Sequence, residues 1–214
     1  MQQRVLDFIE SGGKSEPFER LSLDVFAYQY GRVELYRRFC DSRGVTPATV
    51  SDWRHIPAIP ADAFKQPLGL GVPAAHVFES SGTTQGPGHR SIHELSSLRT
   101  YRLSSMRHFE EMVLPDDPGP MNVLVLGPTA DTHPRSSLGQ MFSWCAESFG
   151  KSVEVVFDGH GRADLERAIE WLDRSSRDRR PALILAITSA LSSLFATLRR
   201  RNLVFRLPAD SRIV

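Results

Sequence analysis

Two cysteines in 214 residues, Cys40 and Cys145, are too few and too far apart for a disulfide framework or a zinc site. Long apolar runs are missing as well: no stretch approaches the roughly 18 residues that span a bilayer. No apolar segment with basic flanks and a cleavage site opens the chain, so a cytoplasmic protein without a membrane span is expected. Charge of one sign is absent. Lys and Arg number 26 against 25 Asp and Glu, a formal net charge of +1, so no global field recruits nucleic acid or an anionic membrane. Basic residues cluster only in Arg177-Asp178-Arg179-Arg180 and Arg199-Arg200-Arg201, at predicted helix ends, where cations complement the macrodipole. Internal repeats, low-complexity tracts and heptads are also lacking. What remains is a globular chain long enough for one large domain or two unequal ones.

The first third reads as helical. Val5, Leu6, Phe8 and Ile9 mark a short helix that Gly12-Gly13 ends, and Leu23, Phe26, Tyr30, Val33, Tyr36 and Cys40 recur at helical spacing over 22–42. From His55 to Lys65 a proline-punctuated connector carries the chain in extended form, because each proline disfavours helix at the residue before it. The division expected is a helical N-terminal cap and connector over 1–75 and an α/β core over 76–214. His76 to Glu79 reads as a strand. Ser91-Ile92-His93-Glu94 has the S-x-x-E form of a capping box and predicts a helix running from there to Pro115.

Beyond Pro120 short apolar runs alternate with helical patterns. Residues 122–126 (NVLVL), 153–157 (VEVVF), 182–187 (ALILAI) and 203–205 are nearly continuous, as buried parallel strands require. Between them, Leu138, Met141, Phe142, Cys145 and Phe149 mark one helix. Leu165, Ala168, Ile169 and Leu172 mark a second, and Leu191, Leu194, Phe195 and Leu198 a third. The expected fold is α/β: a mostly parallel sheet with helices on both faces, preceded by a helical N-terminal region. Loops leaving the carboxyl ends of such strands share the ligand-binding edge. Here these are 127–131, 158–161 and Thr188-Ser189.

Ser80-Ser81-Gly82-Thr83-Thr84-Gln85-Gly86-Pro87 concentrates hydroxyls and glycines between the 76–79 strand and the next predicted helix. Glycine permits φ > 0 and close backbone approach, so N–H groups and hydroxyls of one short segment can converge on an anion. A plain turn is the alternative. The spacing is neither G-x-x-x-x-G-K-[ST] nor G-x-G-x-x-G. Ser80-Ser81-Gly82-Thr83-Thr84 resembles, without a gap, the phosphate loop S-[ST]-G-[ST]-T-G-x-P-K of the adenylate-forming enzymes. Gln85 displaces the following glycine to Gly86, and Gly88-His89-Arg90 stands where that family carries its lysine. With Ile59-Pro60, Phe64-Lys65, Phe78-Glu79, Ser136-Ser137-Leu138 and Met141, the region from about residue 50 onward is similar to the acyl-protein synthetases of the LuxE type.

That resemblance implies an ATP-dependent ligase that converts a carboxylic acid, a fatty acid in that family, to an acyl-adenylate and passes the acyl group to a protein thiol. It implies ATP with Mg²⁺ and a partner protein that accepts or donates the acyl group. Ser80, Ser81, Gly82, Thr83, Thr84, Gln85 and Gly86 would hold phosphates, Thr188 and Ser189 would line the adenine pocket, and Ser136 and Ser137 would border the acyl pocket. Helix capping is the competing reading for Thr188, Ser189 and Ser136, and a surface lysine the competing reading for Lys65. No catalytic residue or metal ligand is assigned. His89 with His93 as a zinc pair, Asp131, His133 and Ser136 as a triad, and Cys145 as acyl acceptor are weaker constellations. Cys145 falls on an apolar stripe and reads equally as a core thiol. Members of that family continue into a glycine-rich segment, a lysine-bearing mobile domain and an acylated cysteine, none of which is in these residues. An N-terminal portion of such an enzyme is therefore expected, the alternative being a non-catalytic homologue that binds a partner.

Overall fold

The structure, a computed structural model, describes residues 1–65, 74–80 and 90–214. The chain forms two compact units, Met1–Ser104 and Ser105–Val214.

The first unit opens with helices α1 (Gln2–Glu10), α2 (Phe18–Arg32) and α3 (Glu34–Asp41). Gly12 and Gly13, both at positive φ, end α1 as the sequence predicts. The single helix expected over 22–42 is two helices, because Val33 leaves helical geometry at φ −102°, ψ 99°. The apolar spacing runs unbroken across the break because both helices bury the same cluster: Phe26, Tyr36 and Cys40, with Tyr30 and Val33 against it. Tyr36 Oη donates to the Pro57 carbonyl at 2.9 Å and ties the connector to this core. The short helical turn that Val50 and Trp53 suggest is present as the 3₁₀ turn Trp53–His55, and the connector after it is less extended than expected, since Ala61–Lys65 is a second 3₁₀ turn.

Strands β1 (His76–Glu79) and β2 (Ile92–Leu95) form an antiparallel pair, Phe78 opposite His93 and Glu79 opposite Ile92. The capping box at 91–94 is therefore overturned. Ser91 spends its N–H on Ser80 Oγ at 2.8 Å and its carbonyl on Ser80 N at 3.0 Å, which continues the ladder. Helix α4 (Arg99–Val113) begins only after Ser97, whose hydroxyl accepts from Arg99 N at 3.2 Å. The boundary between the units falls inside α4.

The second unit is an α/β layer structure. Strands β3 (Met121–Leu126), β4 (Gly150–Val155), β5 (Ala182–Ala186) and β6 (Arg212–Ile213) make a parallel sheet in the order β4-β3-β5-β6. Helices α5 (Ser137–Phe149), α6 (Leu165–Arg177) and α7 (Thr188–Arg200) connect them. Alternate residues face opposite layers, as strand geometry demands. Met121, Val123, Val125, Leu183 and Leu185 pack with Phe109, Phe142 and Cys145 of α4 and α5. Leu124, Leu126, Ala182 and Ile184 pack with Ala168, Trp171, Leu172, Ala190 and Leu194 of α6 and α7. Every residue of β3 is buried, and each large apolar side chain there contributes roughly 1.5–3 kcal/mol.

Two expectations at the sheet edges are corrected. The fourth apolar run, 203–205, is no strand: Val204 is 91% exposed while Leu203 and Phe205 lie along α6. The fourth strand is Arg212–Ile213, held by Val214 N to Ile184 O and Ala186 N to Val214 O, both 2.9 Å. Strand β4 starts at Gly150, three residues earlier than expected. There α5 turns into strand with no intervening loop, and a Cβ would collide with the Ala146 carbonyl and Val153. No helix among the described residues is long and apolar enough to cross a membrane.

Candidate functional site

The sheet order creates a switch point. From β3 the chain passes through α5 to β4 on one side, and from β4 through α6 to β5 on the other side of β3. The connections leaving the carboxyl ends of β3 and β5 therefore diverge onto opposite faces, the position where open α/β sheets bind ligands. Ile187 N donates to the Leu126 carbonyl at 3.1 Å, which holds the two strand ends together. Both α5 and α7 begin at this edge, so the positive ends of two helix dipoles lie there.

Gly127, the first residue past β3, marks a close approach of the layers. A Cβ at this position would stand 2.8 Å from Phe142 Cε2 and 3.3 Å from Ile187 Cγ2. The segment that follows is held by hydroxyls. Thr129, which is buried, receives Thr132 Oγ1 against its N–H at 3.0 Å, and the two hydroxyls are 3.1 Å apart. Ala130 N donates to Ser143 Oγ at 2.9 Å. Thr132 Oγ1 in turn lies 2.9 Å from His133 Nδ1, and the His133 ring packs against Phe157 at 5.8 Å between centroids. Ser136 Oγ accepts from Gly139 N at 3.0 Å, so it is the N-cap of α5. With His133 and Ser136 committed to these partners, Asp131, His133 and Ser136 do not form a triad.

After β4, Phe157 pairs with Ala163 across a tight loop organised by Asp158. Its Oδ1 accepts from His160 N at 2.9 Å and Arg162 N at 2.8 Å, and Oδ2 from Arg162 Nε at 3.2 Å. These bonds, led by the Arg162 N–H, hold the carboxyl below its usual range. Between this loop and the first turn of α7 opens a cleft of about 340 Å³, lined by Phe157, Gly161, Arg162, Leu165, Ser189 and Ser193 among others.

The predicted residues fall as follows. Thr188 and Ser189 are exposed in the first turn of α7; the N-cap is Ile187, so neither caps the helix. Ser189 lines the cleft. Ser136 and the exposed Ser137 lie at the start of α5, on the other face of the sheet, outside that cleft. Ser80 lies at the end of β1, its hydroxyl engaged with Ser91 N. Ser81, Gly82, Thr83, Thr84, Gln85 and Gly86 lie outside the described residues, as does His89. His93 sits in β2 against Phe64, at 4.8 Å, and shares no helix face with residue 89. Lys65 pairs with Asp62 at 2.7 Å. Cys145 is fully buried, and desolvation pushes its thiol up to about 12, which rules it out as a nucleophile in the folded protein. No group of three or more His, Cys, Asp or Glu suited to a metal occurs among the described residues. The Thr129, Thr132 and Ser143 network and the Asp158 loop escape a reading of the sequence. Their hydroxyls and carboxylate follow no motif and are recognisable only by what they hold.

No protein-family model, no curated protein and no solved structure matches the chain.

Proposed function

We propose that this protein activates a carboxylic acid, a long-chain fatty acid in the first instance, as an acyl-adenylate at the expense of ATP, for transfer to a protein thiol. The observation that carries the reading is the pairing of the described residues on either side of the Ser-Ser-Gly-Thr-Thr stretch. Its first serine directly follows β1, and Arg90 and Ser91, which come after 81–89 in the chain, pair back onto Glu79 and Ser80. A hydroxyl- and glycine-rich segment with both ends anchored to a strand pair suits a phosphate cradle. In the second unit, the switch-point edge with Ser189, Arg162 and two helix N-termini supports nucleotide binding there.

The chemistry explains why such donors are needed. A carboxylate oxygen attacks the α-phosphorus, the bond to the bridging oxygen breaks, and pyrophosphate leaves with the electron pair. N–H and O–H donors fixed around the triphosphate stabilise the charge that moves onto pyrophosphate. Mg²⁺ would share that charge. The thiol then attacks the carbonyl, and AMP departs with one of the original carboxylate oxygens. ATP–pyrophosphate exchange that depends on added fatty acid tests the reading in the full chain. Exchange without acid, or transfer of an intact γ-phosphate with no AMP formed, contradicts it.

A further inference from the structure

At the opposite, amino edge of the sheet a cleft of about 280 Å³ opens between β4 and α6. Asn122 from the start of β3, Ser152 and Glu154 from β4, Trp171 and Ser175 from α6, and Asp178 just beyond α6 face it. Most polar groups here satisfy one another. Asn122 Nδ2 donates to Asp178 Oδ2 at 2.9 Å, while its Oδ1 accepts from Ser152 Oγ at 2.7 Å and Arg180 Nη1 at 3.4 Å. Glu154 pairs with Arg174 at 2.5 Å and with Arg167 at 3.3 Å.

Two groups stand outside this network. Trp171 and Ser175, one helical turn apart on α6, are each 4% exposed, yet neither side chain has a hydrogen-bond partner among the described residues. Neither polar atom is sealed from the cleft, because the indole nitrogen of Trp53 is the one such atom that is both sealed and unpaired among the described residues. An indole N–H only donates, so its complement must be an acceptor. Asp178 Oδ2 takes one donor from Asn122 and has capacity for a second. The Arg174 charge is spent on Glu154, the Asp178 carboxylate repels an anion and the Arg180 guanidinium beside Asn122 and Asp178 repels a cation, so the cleft calls for a neutral molecule with an acceptor and a donor close together.

We propose that this cleft binds a small neutral carboxamide or ureide, its carbonyl oxygen accepting from Trp171 Nε1 and Ser175 Oγ and its N–H donating to Asp178. The site lies at the edge of the sheet opposite the switch point and does not rest on the activity proposed above. With three tryptophans in the chain, three indole N–H signals are expected in a nitrogen-15 correlation spectrum, and Trp171→Phe identifies one of them. Acetamide, urea and nicotinamide are titrated separately into the full chain. The expected result is a saturable shift of the Trp171 signal with at least one of them, the Trp53 and Trp144 signals staying still, and several-fold weaker binding in Ser175→Ala. No shift with any of the three, or an unsaturated drift of all three signals together, shows a cleft that holds water only and overturns the proposal.

Discussion

Replacing Gly127 by alanine tests whether the switch point is built as tightly as its geometry says. Gly127 has no positive φ, so alanine is allowed by the backbone and any cost comes from crowding. The added Cβ would sit 2.8 Å from Phe142 Cε2, closer than real Cβ contacts come, with Ile187 Cγ2 at 3.3 Å on the other side. Phe142 is 2% exposed and belongs to the core between the sheet and α5, so its ring has no open space to swing into. Overpacking of this kind costs about 1–3 kcal/mol, against a gain of about 0.4–1 kcal/mol from stiffening the unfolded chain. With a urea m-value of about 1–3 kcal/mol/M, the midpoint falls by on the order of 1 M. The assay is urea unfolding followed by Trp144 and Trp171, both buried in the second unit, in a Trp53→Phe background. Gly159→Ala, in the same unit, provides a control of opposite sign: Gly159 has no positive φ and a new Cβ there would meet only the Thr132 carbonyl at 3.8 Å, an ordinary contact, so stiffening the unfolded chain raises the midpoint. Adding Phe142→Leu to Gly127→Ala should cost less than the two single losses summed, because the smaller side chain relieves the collision. An unchanged or raised midpoint in Gly127→Ala would falsify the close approach at this edge.

Other outcomes follow from particular contacts. Thr83→Ala combined with Thr84→Ala is expected to abolish acid-dependent ATP–pyrophosphate exchange while leaving the circular dichroism melt unchanged; retained exchange removes these residues from the phosphate site. Ser136→Ala, losing its bond to Gly139 N, is expected to cost about 0.5–2 kcal/mol in urea unfolding. Asp116 is held below its ordinary value of 3.8 by the Arg212 guanidinium, whose Nη2 reaches both carboxylate oxygens at 2.8 and 2.7 Å. Because the folded value is depressed, this pair's stabilisation is complete above the ordinary value and is lost as pH falls through the lower, folded one. Asp116→Asn should flatten the acid limb of the stability profile in that window and leave the slope near neutrality as it was. Cys40 and Cys145 are both fully buried with raised thiol values, so an aromatic disulfide reagent at neutral pH should react with neither until the chain is unfolded.

The central strands were legible because burial on both faces leaves nearly continuous apolar runs: 122–126 and 182–187 overlap β3 and β5 to within a residue. Strand β4 was legible only in part. It lies at the sheet edge, and its first residues, Gly150, Lys151 and Ser152, carry no apolar signal: Lys151 and Ser152 are exposed, and position 150 has no room for a Cβ beside the Ala146 carbonyl. Strand β6 is two residues long and too short to register, while the more apolar 203–205 drew the expectation away from it. At 91–94 the S-x-x-E pattern fits a helix start and a strand equally. The choice was settled by a long-range bond, Ser91 N to Ser80 Oγ, that no local pattern encodes. The same distinction holds for the candidate site. The edge that gathers 127–131, 158–161 and Thr188-Ser189 follows from the strand–helix alternation, whereas the pairing of Thr129 with Thr132 and the looping of 158–162 around one carboxylate depend on side-chain geometry.

The route of one oxygen atom tests the proposed chemistry most directly. A fatty acid labelled with heavy oxygen in its carboxylate is incubated with the protein, ATP and a thiol acceptor, and AMP, pyrophosphate and orthophosphate are analysed by mass. Activation as an adenylate places one labelled oxygen in AMP and none in pyrophosphate or orthophosphate. Label in orthophosphate, or acyl transfer with unlabelled AMP, contradicts it.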